Sequence, residues 1–115
     1  MGSGALPEPP YYAVIFTSVR AGVDDGYATM ADEMVRRARE QPGFLHIDSA
    51  RSPDGFGITV SYWESEEAIR AWREHALHRV AQERGKAEWY RAFEIRVAKV
   101  ERSSVFDATR RVSST

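Results

Sequence analysis

The stretch Phe56-Gly57-Ile58-Thr59-Val60-Ser61-Tyr62-Trp63, followed by Glu64-Ser65-Glu66-Glu67 and then Ile69, Trp72, Ala76 and Val80, decides the fold. In its first eight residues Phe56, Ile58, Val60 and Tyr62 share one parity, while Gly57, Thr59 and Ser61 fill the other as far as Trp63. A period of two is the mark of a strand. Ser65 is a good helix N-cap, and Glu66 and Glu67 then place carboxylates in a first turn, where the helix dipole favours negative charge. Ile69, Trp72, Ala76 and Val80 recur at spacings of three and four, one apolar stripe. This helix is expected to run to about Arg84, roughly 30 Å, with a bend or break near Arg73 to Ala76. After Gly85 a second β-rich run begins, Glu88 to Val100. Strand, helix, strand therefore account for Phe56 to Glu101. Trp63, Trp72, His75 and His78 crowd into this block, so a small-molecule site is expected near it.

Reading back towards the N-terminus, Phe44 to Arg51 is a strand, joined to the first by a turn-forming Ser52-Pro53-Asp54-Gly55. His46 and Asp48 share a parity there, fitting either a pocket role or a solvated edge. The clearest helix precedes it. Tyr27, Met30, Ala31, Met34, Val35 and Ala38 fall at i, i+3, i+4, i+7, i+8 and i+11. Arg36, Arg37 and Arg39 suit its C-terminal dipole, and Gln41-Pro42-Gly43 ends it. Asp24 or Asp25 is expected to cap its start. Tyr11 to Arg20 is a strand with apolar side chains on both parities, as in a strand buried on both faces. Residues 1–10, with Pro7, Pro9 and Pro10, are a flexible lead, residues 11–101 the folded domain, and residues 102–115 a polar tail with Val105 and Phe106 as its apolar anchors.

In the last strand Trp89, Phe93, Ile95 and Val97 share a parity, after which the apolar positions shift to Ala98 and Val100. Such a slip marks a bulge or a change of buried face. Glu94 and Arg96 lie on the opposite parity and read as a solvated face, with a pair across a dimer as the alternative.

The bulk numbers bound the class. A chain of 115 residues holds one core. Its 43% hydrophobic and 29% charged residues are ordinary for a soluble globular protein. A net charge of −1 supplies no field for nucleic acid or an anionic membrane, and Arg110-Arg111 is too short to change that. The absence of cysteine excludes disulfides and thiolate chemistry and fits a cytoplasmic location. No run approaches the roughly 18 apolar residues of a membrane span, and no signal peptide is legible.

The order β-α-β-β-α-β is that of an α+β, ferredoxin-like fold, a four-stranded antiparallel sheet with both helices on one face. Right-handed crossovers give the strand order 4-1-3-2. Two helices cover one face only, yet the first and last strands are apolar on both. A second copy of the chain, sheet face to sheet face, would cover the other and make a dimeric α/β barrel.

Gln41-Pro42-Gly43-Phe44, the run Tyr62-Trp63-Glu64-Ser65-Glu66-Glu67-Ala68 with Trp72 and the His75/His78 pair, and Gln82-Glu83-Arg84-Gly85 leading into Trp89-Tyr90 together resemble the antibiotic biosynthesis monooxygenase-like family of dimeric α/β barrels. The resemblance covers about residues 11–101. It implies a homodimer and, for one branch, a monooxygenase needing O2 but no cofactor, acting on a planar aromatic or polyphenolic small molecule. That branch uses an Asn and a Trp four apart on the third strand and an Asn on the first. Trp63 matches the Trp, Thr59 stands at the Asn, and Thr17 or Ser18 stands at the first-strand position. Heme-degrading relatives use a Trp on the second helix, matched by Trp72, and a following His that falls near Gln82.

On that basis the candidate catalytic residues are Trp63, Trp72, Thr59, His75 and His78. The indoles would be walls of a water-poor pocket, Thr59 a hydrogen-bond donor, and a histidine the base that ionises a phenol. Thr17, Ser18, Phe16 and Tyr62 are the candidate substrate-binding residues. His75 and His78 lack a third ligand, so no metal is expected. Both tryptophans also read as packing residues. A non-enzymatic dimer that binds a small ligand, and a heme-binding or heme-degrading oxygenase, are the alternative functions.

Overall fold

The computed structural model describes residues 6–21, 27–83 and 89–109. Six elements follow in the expected order: β1 (Tyr11–Arg20), α1 (Tyr27–Arg39), β2 (Phe44–Arg51), β3 (Phe56–Trp63), α2 (Glu66–Glu83) and β4 (Tyr90–Val100). The strands form one antiparallel sheet in the order β2-β3-β1-β4, the ferredoxin-like arrangement. The capping residues proposed for α1, Asp24 and Asp25, lie outside the described residues.

The element boundaries have local causes. Ser65 Oγ accepts the Ala68 amide at 3.1 Å, which satisfies one of the orphan donors at the start of α2. α2 is continuous through Arg73 to Ala76, so of the bend or break expected there the break does not occur. The β2–β3 turn closes through Ser52 N–H to the Phe56 carbonyl at 2.8 Å, while Asp54 accepts the Phe56 amide at 3.1 Å. The turn that follows α1 holds a position that only glycine fits well. Gly43 has φ of +87°, and a Cβ there would stand 2.7 Å from the Ala68 side chain at the head of α2. The Gly43 carbonyl accepts the Glu64 amide at 2.8 Å, which ties the end of α1 to the start of α2.

The register sorts the strands into faces. Tyr12, Val14, Phe16 and Ser18 of β1 stand beside Trp63, Ser61, Thr59 and Gly57 of β3, on the face that the helices cover. Phe56, Ile58, Val60 and Tyr62, the more apolar parity of β3, stand on the open face instead. Phe56 and Ile58 there are 44% and 41% exposed. The helix-side core is Ala38, Trp63 and Ile69, with Tyr12, Val14, Phe44, Ala68 and Trp72 packed against it.

Two register shifts overrule simple alternation. In β2 the shift between Phe44 and His46 puts Phe44 against Trp63, ring to ring at 5.4 Å, while His46 turns to the open face. There His46 stacks on Tyr62 and shares a 3.0 Å contact with Asp48 at the sheet edge. In β4 the shift falls opposite Val19 and Arg20, around Arg91. At Val97 to Ala98 the strand is regular, and Ala98 simply pairs with Ala13 on the open face. Glu94 and Arg96 pair with each other at 2.8 Å, both exposed.

Candidate active site

β3 presents Gly57, Thr59 and Ser61 to the helices at mid-sheet. Side chains that small cannot fill the gap beneath α1 and α2. The result is a cavity of about 370 Å³ between sheet and helices. Val14 and Phe16 of β1, Ile47 and Ser49 of β2, Thr59 and Ser61 of β3, and Phe93 and Ile95 of β4 form its floor. Met30, Ala31, Met34 and Val35 of α1 and Ile69, Trp72 and Ala76 of α2 form its roof. The amphipathic stripe of α1 is thus shared between the core and the cavity. A concave, mainly apolar space with a few polar groups is the usual form of a small-molecule site.

Three of the expected site residues line this space: Phe16, Thr59 and Trp72. Phe16 and Thr59 are direct cross-strand neighbours, and Thr59 Oγ1 shares a 2.9 Å hydrogen bond with Ser49 Oγ. Trp63 lies behind the lining, fully buried. Its Nε1 donates to Ser61 Oγ at 2.9 Å, and its ring stacks on Trp72 with centroids 6.2 Å apart. Trp63 therefore braces Trp72 and presents no free N–H to a ligand.

Ser18 is on the same face and buried, its hydroxyl accepting from Arg51. Thr17 and Tyr62 stand on the open face, because β1 and β3 alternate; they do not meet the cavity. His75 is exposed beside Trp72, ring centroids 5.6 Å apart, and does not line the cavity. His78 and Gln82 lie in α2 beyond the last described side chain. Among the described residues, no three of His, Cys, Asp and Glu come together as metal ligands would. No described helix is long and apolar enough to cross a membrane.

At the polar end of the cavity sequence reading found Ser18 and missed its partners. Tyr27 opens α1, Arg51 closes β2 and Tyr90 opens β4, three places far apart in the chain. Arg51 Nη2 donates to Ser18 Oγ at 2.9 Å and to Tyr27 Oη at 3.2 Å, and Nη1 donates to the Gly55 carbonyl. Tyr90 Oη donates to Tyr27 Oη at 3.3 Å. Burial, reinforced by that bond to Tyr27, keeps the Tyr90 hydroxyl protonated far above the usual phenol range; Arg51 and Arg20 pull weakly the other way. Arg20 lies over the Tyr27 ring at 3.6 Å from its centroid, a cation–π contact that fixes the ring. Tyr90 and Phe93 differ in parity yet both line the cavity, because the register shift around Arg91 intervenes. The one legible signal was Gly57, a glycine inside a strand, which often marks a close approach.

Comparison with known proteins agrees with the geometry. Residues 10–84 match the family model described as antibiotic biosynthesis monooxygenase. The chain is 54% identical over 100 residues to YqjZ, an uncharacterized protein of Bacillus subtilis, covering 87% of this chain and 88% of that one. It is 30% identical over 106 residues to jasmonate monooxygenase ABM of Pyricularia oryzae, covering 90% of this chain but 49% of that longer protein. Among solved structures, SnoaB, a cofactor-independent oxygenase from Streptomyces nogalater, superposes with a TM-score of 0.67 at 13% identity, over 83% of this chain and 97% of its own. PA3566 from Pseudomonas aeruginosa superposes with a TM-score of 0.64 at 15% identity, over 86% and 100%. At such identities these two share the fold. The extent of the family match and the level of identity to the curated relatives lead to one conclusion: the chain belongs to the antibiotic biosynthesis monooxygenase family.

Proposed function

We propose that this protein is a monooxygenase that uses O2, without metal or flavin, on a planar aromatic or polyphenolic molecule held between the sheet and the helices. The observation that carries the reading is the cavity of about 370 Å³, mainly apolar and walled on one side by Trp72. An activated methylene between aromatic rings can reduce O2 unaided. Loss of a proton gives a stabilised carbanion, whose electrons pass to O2 to form a carbon-bound peroxide. Loss of water from that peroxide leaves a carbonyl, so one oxygen atom stays on carbon and the other leaves as water. What such a reaction asks of a protein is a dry, flat pocket and hydrogen-bond donors for the developing anion. Trp72 and Phe16 supply flat apolar surface, and Thr59, hydrogen-bonded to Ser49, supplies a hydroxyl at mid-sheet.

The same reading includes a second copy of the chain on the open sheet face. Phe56 and Ile58 are exposed there beside Val60 and Tyr62, a contiguous apolar surface of the kind that marks an interface.

Oxygen uptake with anthrone- and hydroquinone-type phenols, in the presence of chelator, tests the reading. Wild type is expected to consume O2, and Trp72→Phe to consume less at equal folded concentration. No uptake across the panel, with the same ligands still quenching tryptophan fluorescence, would refute the oxygenase and leave a ligand-binding protein.

A further inference from the structure

Arg51 reaches the cavity by an unusual route. It sits at the end of β2, at the edge of the sheet, and is paired with Gly57 of β3. Gly57 is in turn paired with Ser18 of β1. Adjacent strands are about 4.8 Å apart, so the Arg51 side chain must cross a whole strand to place Nη2 2.9 Å from Ser18 Oγ. It can cross because residue 57 has no side chain. A Cβ on Gly57 would stand 2.5 Å from Arg51 Cζ and 2.7 and 2.9 Å from Nη2 and Nη1. The guanidinium thus lies over bare backbone and donates to Tyr27 Oη.

This placement puts a permanent positive charge beside Tyr27 and Tyr90 in a mainly apolar cavity, whose other cationic lining residue, Arg73, lies on α2 next to Trp72. The observed partners of Arg51 are neutral oxygens: the Ser18 and Tyr27 hydroxyls and the Gly55 carbonyl. Among the described residues no carboxylate pairs with it. Arg51 is exposed as a residue, so water completes its shell, and an anionic oxygen group entering the cavity can replace that water with short, charge-assisted bonds. Tyr27 and Tyr90, linked hydroxyl to hydroxyl, border the same spot.

We propose that the cavity takes a molecule with an aromatic or apolar body and an anionic oxygen group, a carboxylate or an ionised enol or phenol, and that Arg51, laid over Gly57, holds that group. The inference rests on the cavity being the substrate site. It adds that Arg51 orients the molecule, with its anionic end at β2 and its apolar body under Trp72.

The test is calorimetric and reads no turnover. The probes are 2-naphthoate and 2-naphthamide, which share one aromatic body and differ in charge. Wild type is expected to bind the acid about tenfold or more tightly than the amide, the size of a charge-assisted bond. Arg51→Met is expected to bring the two within about threefold while leaving amide affinity nearly unchanged. Gly57→Ala keeps the charge but displaces the guanidinium, and is expected to erode the preference likewise. Arg70→Gln removes an exposed charge outside the cavity and is expected to keep it.

Equal binding of acid and amide by wild type, a preference that survives Arg51→Met, or no binding of either probe would overturn the inference. The two proposals fail separately. Acid preference through Arg51 without any oxygen uptake would sink the oxygenase and keep this site. Oxygen uptake with wild-type binding indifferent to charge would do the reverse.

Discussion

Replacing Trp63 by phenylalanine should unfold this protein far more readily than the same change at Trp72, although both are tryptophans of one stacked pair. Trp63 is 0% exposed, wedged between Phe44 and Trp72, and its N–H is satisfied by a buried serine. Phenylalanine deletes two ring carbons and the indole nitrogen. Two buried carbons are worth about 1.6 kcal/mol. The lost hydrogen bond, which leaves the Ser61 hydroxyl without its donor, adds about 1 kcal/mol. A residual void of about 30 Å³ adds about 0.7 kcal/mol. The sum is about 3 kcal/mol, a large share of the 5–15 kcal/mol of a typical domain. At about 4–8 °C per kcal/mol, the melting midpoint should fall by about 12–24 °C. Trp72 is only half-buried and faces the cavity, so Trp72→Phe should cost about 1 kcal/mol or less. Urea unfolding followed by circular dichroism measures both. The double variant Trp63→Phe with Ser61→Ala should recover about 1 kcal/mol, because neither partner is then left unpaired. A Trp63→Phe loss below about 1 kcal/mol, or equal losses at the two positions, would refute the assignment of Trp63 to bracing and Trp72 to the cavity.

Three further outcomes are expected. Ile58→Glu places a carboxylate on the open face beside Phe56 and Val60, and should convert the proposed dimer to a 13.0 kDa monomer in sedimentation equilibrium; wild type sedimenting at that mass would remove the dimer. Gly43→Ala combines a left-handed φ of +87° with a Cβ 2.7 Å from Ala68, and should cost about 2 kcal/mol or more in urea unfolding; a loss within about 0.5 kcal/mol would mean that the contact with α2 is slack. The folded chain holds the Tyr90 proton more tightly than the unfolded chain, whose phenol titrates near 10.0, so this contribution is complete below that pH and is lost as pH rises above it. Tyr90→Phe should flatten the alkaline decline in stability, leaving the smaller part due to Tyr62, which burial also raises; an unchanged slope would place the Tyr90 hydroxyl in water.

Local patterning by itself determined the elements and their order. Period-two and period-3.6 signals, the Ser65 cap and the Gly43 stop act over a few residues, and strand handedness then leaves one strand order. The assignment of faces was a different matter. β3 carries its larger apolar residues on the face away from the helices, so hydrophobicity alone points to the wrong side; only pairing with β1 and the docking of α1 and α2 show that Gly57, Thr59 and Ser61 face the cavity. Thr17, expected from the family's first-strand position, and Tyr62 lie on the open face, because the pattern of a strand does not say which parity faces the helices. The shifts at Leu45 and Arg91 come from strand pairing and carry no local mark, yet they turn Phe44 into the core and Tyr90 into the cavity. Arg51 shows the limit most plainly. Its chemistry was legible as one arginine among many, but its position comes from three strands laid side by side and a glycine in the middle one, contacts between residues 18, 51 and 57 that only the tertiary structure brings together.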